Sequence, residues 1–250
     1  MTKKTTFVSF LLDETGSMQN IKDDTIGGFN SYVEVLQKSD DDIVFSLVSF
    51  NSGRTRRRYV AESIRDIVPL TENDYVPDMM TPLIDAAVKI IRATDEAVRD
   101  RGDDPNVVVV MQTDGRENVS VEYTNIDLAA LIKEKAASGW QFVFLGAGLD
   151  AFHAARQAGI DFDPDKVVSY SRARSHKVFE LTARNITKFA QYGDAQLLDY
   201  SPEQREKVDD KHTWKYLGED AKSGRKASSQ SGRKSRRAAS TSEDYKLTRS

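Results

Sequence analysis

The sequence predicts an α/β protein: a doubly wound, mostly parallel sheet with one antiparallel edge strand and helices on both faces. Three observations predict it. Short apolar runs alternate with amphipathic stretches of helical period along residues 1–192, the pattern of strands joined by crossover helices. The run at 107–111 is apolar at every position, as a central parallel strand covered on both faces must be. An arginine-rich stretch follows an Asn51-Ser52-Gly53 turn and reads as a hairpin return along the sheet's edge.

The elements follow in order. Residues 7–12 form the first apolar run and end at an acidic turn. Met18, Ile21, Phe29, Tyr32, Val33 and Leu36 then keep to one helical face. Residues 43–50 are β-rich, and 56–60 pair back as the edge strand. Ile84, Ala87, Val88, Ile91 and Val98 make the next helical stripe, with Pro82 in its first turn. After the run at 107–111, Leu128, Leu131, Ile132 and Ala136 mark a helix that Gly139 stops. Residues 142–145 are a further buried strand and 151–158 a short helix ending at Gly159. Residues 167–170 supply the last strand. Val178, Leu181, Thr182, Asn185, Ile186 and Phe189 give the face of a final helix.

Composition narrows the function. The chain has 250 residues, 39% of them hydrophobic and 30% charged, and no cysteine. A disulfide scaffold, a Cys-ligated zinc or iron–sulfur site and a thiol nucleophile are therefore excluded. Mean hydropathy is −0.54, and no uncharged apolar run approaches the roughly 20 residues of a membrane span. Asp13 and Glu14 interrupt the first apolar run, which argues against a secretory leader. The chain is expected to be soluble, off the membrane and cytoplasmic. Its net charge of −3 is divided: residues 221–250 carry nine Lys/Arg and two acids, so this stretch is +7 and residues 1–220 are −10. The Ser/Lys/Arg-rich stretch lacks large apolar side chains over 221–242 and is expected to be a disordered tail. It reads either as an electrostatic arm for nucleic acid or as a solvated extension, since no aromatic residues interleave its charges there. The expected organisation is 1–192 as the α/β domain, 193–220 as a C-terminal extension whose Trp214, Tyr216 and Leu217 either tack it back onto the domain or dock a partner, and 221–250 as the tail.

Ligand sites in doubly wound sheets lie outside the carboxyl ends of the strands. The polar turns after the apolar runs are Asp13-Glu-Thr15-Gly-Ser17 and Gln112-Thr-Asp114-Gly; Met79-Met-Thr81-Pro opens a helix between them. On one sheet edge they bring together two carboxylates, Asp13 and Asp114, and three hydroxyls, Thr15, Ser17 and Thr81. Magnesium takes hard oxygens in an octahedral array and keeps some waters. Two carboxylates balance its charge, while neutral hydroxyls and water leave it electron-poor and open to a further anionic ligand. Each piece also has a structural use. Asp13, Thr15 and Ser17 suit the cap of the first helix, Thr81 before Pro82 is a good N-cap, and Asp114-Gly115 suits a plain turn.

Asp13-x-Thr15-x-Ser17, Thr81-Pro-Leu-x-Asp-Ala86 and Thr113-Asp114-Gly resemble the three parts of the metal-ion-dependent adhesion site of von Willebrand factor A (VWA) domains. Their order, spacing and intervening elements are similar to that fold across roughly residues 5–192. The resemblance implies that Thr15, Ser17 and Thr81 supply hydroxyls to Mg²⁺ or Mn²⁺, and that Asp13 and Asp114 bind the ion directly or through water. A partner protein completes the shell with an Asp or Glu, and Glu14, Arg116, Glu117 and Asn118 rim the contact surface. Glu117-Asn118 with Tyr123-Thr124, and Gly139-Trp-x-Phe-x-Phe-Leu-Gly146-Ala-x-x-Asp150-Ala, are similar to a compact VWA subgroup of bacteria and their phages, which would place a phage protein in the host cytoplasm. The resemblance implies an interaction module that is not an enzyme, working beside a partner ATPase as some intracellular VWA proteins do.

Other constellations compete. Metal-activated hydrolysis would use the same ion, but no motif places a histidine or spare carboxylate as its base. Gly146-Ala-Gly148-Leu-Asp-Ala151 matches a dinucleotide fingerprint, yet that fingerprint belongs on the first strand of its unit, and Asp161, Asp163 and Asp165 fall in a loop. An aspartyl nucleophile at Asp13 would want a second carboxylate where Thr15 stands. His153, His176 and His212 share no metal-ligand spacing. Arg54, Arg56, Arg57 and Arg58 read either as an anion site or as the charged face of an edge strand protected from sheet-to-sheet pairing.

Overall fold

The computed structural model describes residues 4–158 and 163–212. Among the described residues, five apolar runs and the arginine-rich edge stretch become six strands, β1 (Thr6–Asp13), β2 (Ile43–Asn51), β3 (Arg54–Ser63), β4 (Asn106–Thr113), β5 (Gln141–Ala147) and β6 (Val167–Tyr170). They form one sheet in the order β3-β2-β1-β4-β5-β6. Every neighbouring pair is parallel except β2 with β3. The doubly wound sheet and its antiparallel edge are as the sequence predicts.

Among the described residues six α-helices connect and cover the strands: α1 (Lys22–Gln37), α2 (Leu83–Arg101), α3 (Asn125–Ala137), α4 (Ala151–Gln157), α5 (Ser175–Tyr192) and α6 (Pro202–Lys207). β1 is buried at all its positions, and alternation of side chains along a strand divides its residues between two cores. Val8, Phe10 and Leu12 meet Phe29, Tyr32 and Phe179 of α1 and α5 on one face. Phe7 and Leu11 meet α2, α3 and α4 through residues such as Ile91, Leu128 and Phe152 on the other. The first core is aromatic at its centre, with the Phe10 and Phe179 rings stacked at 5.7 Å and Phe29 edge-on to Phe10 at 5.7 Å.

Two boundaries differ from the sequence reading. The helical face beginning at Met18 is first a 3-10 helix, Gly16–Ile21, and only then α1; both turns bury Met18 and Ile21, so the apolar spacing does not separate them. Pro82 is the N-cap of α2 rather than part of its first turn. Residues 193–212 pack against the first core through Leu198, Tyr200 and Val208. Arg205, 1% exposed, donates to the carbonyls of Val167, Tyr200, Pro164 and Asp165 and to Asp210. Asp161, Trp214, Tyr216, Leu217 and the basic stretch 221–250 lie outside the described residues. Among the described residues no helix is long and apolar enough to cross a membrane.

Candidate metal centre

β1 lies between β2 and β4, so successive crossovers leave it in opposite directions and open a crevice at the carboxyl ends of β1 and β4. The parallel register, with Leu12 opposite Gln112, brings Asp13 and the Thr113-Asp114 turn to that crevice. Asp13 is fully buried. Its Oδ1 accepts the Thr15 N–H at 2.8 Å and its Oδ2 the Thr113 hydroxyl at 2.5 Å, while the Tyr75 hydroxyl donates to its backbone carbonyl at 2.5 Å. Thr15 Oγ1 lies 3.2 Å from Ser17 Oγ, and the Ser17 hydroxyl donates to Asp114 Oδ1 at 2.5 Å.

The third segment is laid alongside by backbone bonds. The Gly16 N–H donates to the Met79 carbonyl at 2.9 Å and the Asn118 N–H to the Thr81 carbonyl at 3.2 Å, while the Thr81 N–H donates to Asn118 Oδ1 at 3.0 Å. A Cβ on Gly115 would stand 3.0 Å from Thr81 Oγ1 and 3.6 Å from Ser17 Oγ, so both hydroxyls converge over that glycine. The structure thus brings Asp13, Thr15, Ser17, Thr81 and Asp114 together. Local capping does not account for the Thr15 and Thr81 hydroxyls. Thr15 stands at the N-cap of the 3-10 helix without a side-chain capping bond, and the N-cap of α2 is Pro82, not Thr81.

The site is electrostatically short of positive charge. Burial pushes the Asp13 carboxyl up to about 7, against hydrogen bonds from Thr113 and Thr15 that pull it down, with Asp114 adding to the rise. Burial also raises Asp114, opposed by Ser17 and by the Arg172 guanidinium, whose Nη2 lies 3.2 Å from Asp114 Oδ2. Two buried carboxylates beside three hydroxyls, with Ser17 exposed at the mouth, form a donor set of hard oxygens suited to a small divalent cation. Among the described residues no group of three or more His, Cys, Asp or Glu could hold a metal. The three histidines lie elsewhere: His153 on α4, His176 against Ser31 and His212 near Asp150.

The rim differs from expectation. Glu14 is fully buried: it pairs with Arg54 at 2.8 Å and accepts from the Ser49 hydroxyl at 2.6 Å and the Val76 N–H at 2.9 Å. It ties β1 to β2, β3 and the 67–80 segment, and is not a contact residue. Glu117 also turns inward, accepting the backbone N–H groups of Ile84, Val119 and Ser120 and so holding the start of α2 against the 114–120 turn. Arg116 and Asn118 are exposed. Met79, with φ 65, and Met80 immediately precede Thr81 and are 55% and 54% exposed; the sequence placed them only in the turn that opens a helix, not on the rim. It also missed Arg172, which no local motif could place, 58 residues from Asp114. The arginine cluster is partly internal, with Arg54 on Glu14 and Arg58 on Asp74. The Gly146-x-Gly148 turn packs as a tight corner: a Cβ on Gly146 would lie 2.5 Å from that of Ala151.

No family model matches the sequence, and no curated protein does. Solved structures do. The von Willebrand factor (vWF) domain of the type V pilus tip protein Mfa5 from Porphyromonas gingivalis superposes with a TM-score of 0.56 at 11% identity, over 78% of this chain and 99% of that one. This chain has the fold of a VWA domain. Proximal thread matrix protein 1 from the mussel byssus gives a TM-score of 0.51 at 16% identity over 75% of this chain, and the pilus adhesin SpaC from Lactobacillus rhamnosus GG gives 0.53 at 13% over 75%. The VWA fold here spans 46% of the mussel protein and 31% of the adhesin.

Proposed function

We propose that this VWA-like chain is a protein-binding module that works through a divalent cation, Mg²⁺ or Mn²⁺, held by Asp13, Thr15, Ser17, Thr81 and Asp114. The observation that carries the reading is the convergence of two buried carboxylates and three hydroxyls from three chain segments at the sheet's crevice. When bound, the ion supplies a Lewis-acidic point that takes an Asp or Glu side chain from a partner protein. This chain's own residues do the positioning: Thr113 and the Thr15 N–H fix the Asp13 carboxylate, and Asn118 fixes the Thr81 backbone. Arg116, Asn118, Met79 and Met80 form the exposed rim around that contact. Two of the structural neighbours are described as a pilus tip protein and a pilus adhesin, which supports binding rather than catalysis. No histidine of the chain stands in the crevice to serve as a base for hydrolysis.

The test is a thermal melt of the wild type and Asp114→Ala, each in EDTA and in millimolar Mg²⁺ or Mn²⁺. A site filled to 100 times its Kd stabilises the native state by about 2.7 kcal/mol, a rise of several degrees at this size. The wild type is expected to show the rise and Asp114→Ala to lack it. A wild-type melt indifferent to both ions overturns the reading.

A further inference from the structure

Asp114 is held from two sides. Its Oδ1 accepts from Ser17, and its Oδ2 accepts from Arg172 at 3.2 Å. The Asp114 side chain is fully buried, whereas that of Arg172 is 46% exposed, so the guanidinium lies at the mouth of the crevice with Asp114 beneath it. The surrounding backbone is shaped to admit it. Arg172 belongs to the 3-10 helix Arg172–Arg174 between β6 and α5, anchored by the Ser175 hydroxyl on the Arg172 carbonyl and by the Ser171 N–H on the Val208 carbonyl. Its stem passes over Gly148, which has φ +66; a Cβ there would stand 3.2 Å from Arg172 Nε and 3.4 Å from its Cγ. A guanidinium carries five N–H donors in a planar fork that matches a carboxylate, and Asp114 uses one of them.

We propose that Arg172 is a second anchor for the partner's carboxylate, exchanging Asp114 for the incoming acid when the ion binds. The inference rests on the metal-centred reading above. Without an ion, Arg172 is the cation that offsets the Asp114 charge. A divalent ion held by Asp114 would offset that charge and repel the guanidinium, which would free the Arg172 fork for the partner's acid. A charge-assisted pair of this kind is both stronger and more directional than a neutral hydrogen bond. Arg172 therefore acts with opposite sign on two ligands: it opposes the ion and favours the acid.

The full chain is titrated with Mn²⁺, read by the relaxation of water protons, and the Mn²⁺-loaded protein is then titrated with acetate, which displaces water from the ion. Arg172→Gln is expected to bind Mn²⁺ about tenfold more tightly and to need about tenfold more acetate. Arg172→Lys, which keeps the charge and loses the fork, is expected to match the wild type for Mn²⁺ and fall between the two for acetate. A merely structural role would weaken both ligands in Arg172→Gln, and that result, or no change in either titration, overturns the inference. Should Arg172→Gln fail to fold, Arg172→Lys decides alone, since wild-type acetate affinity in that variant removes the need for a fork. Failure of the wild type to bind Mn²⁺ is a different result, visible before any variant is compared, and it overturns the metal site itself.

Discussion

Asp13 gives up stability for the sake of its position. Its carboxyl titrates at about 7 in the folded protein because burial disfavours the anion, and near the ordinary 3.8 in the unfolded chain. Between those values the native state holds more proton than the unfolded one, so stability falls as pH rises from about 4 to about 7 and levels off above. Three pH units correspond to about 4 kcal/mol. Asp13→Asn keeps an oxygen for the Thr15 N–H and removes the charge. In EDTA, urea denaturation should show the wild type losing stability relative to Asp13→Asn as pH rises across that window, with the variant the more stable at pH 8; it should also lose the Mn²⁺-dependent rise. An equal pH slope in both proteins would mean that Asp13 is not the group responsible. The convergence of the five candidate oxygen-bearing residues was legible in the sequence because each falls in a short motif just beyond a strand end or before a helix. The orientation of Glu14 was not, because what turns it inward is Ser49 and Val76, 35 and 62 positions away. Arg172 was hidden for the same reason.

At the scale of elements, the helical and alternating periods identified strands and helices because burial of one face leaves a regular trace. They did not reveal the 67–80 segment, whose Ile67, Leu70 and Tyr75 are buried without any period and whose Tyr75 hydroxyl supports the Asp13 carbonyl. Nor did they show how closely α1 and α5 approach. A Cβ on Gly28 would lie 2.7 Å from Phe179 Cδ2, and that ring is already stacked on Phe10. Gly28→Val therefore forces a buried ring out of its place, at a cost of about 1–3 kcal/mol, or several degrees of Tm. Gly27→Ala is the control: no atom lies within 4 Å of its added Cβ, and it should be neutral or raise Tm by relieving a helix-interior glycine. Neither added Cβ meets a residue of the crevice, so both variants are expected to keep the wild-type rise with Mn²⁺. A Gly28→Val protein as stable as the wild type would mean that the two helices can separate without penalty.

Across the whole molecule, the crevice depends on chain far from its own motifs. Leu198, Tyr200 and Val208 bury their side chains in the core beneath α5, each contributing about 2 kcal/mol, while Arg205 bonds to the carbonyls of Pro164, Asp165 and Val167 at the start of β6. Together these approach the net stability of an ordinary domain. The Ser171 N–H on the Val208 carbonyl links the same segment to the turn that carries Arg172. A chain ending at residue 192 loses all of these contacts; one ending at 212 keeps every one described. The shorter chain should lack a cooperative melt, and the longer should melt like the full protein with an undiminished Mn²⁺ rise. The +7 charge of residues 221–250 against −10 for the rest gives the same pair of proteins a second use. If the basic stretch is an arm for nucleic acid, the full chain should bind a DNA duplex with an affinity that falls steeply with salt, and the chain ending at 212 should not bind. Equal DNA binding by both would place that activity in the domain. Loss of the Mn²⁺ rise in the chain ending at 212 would instead mean that ion binding draws on residues beyond the crevice, and the separation of metal site from basic stretch would fail.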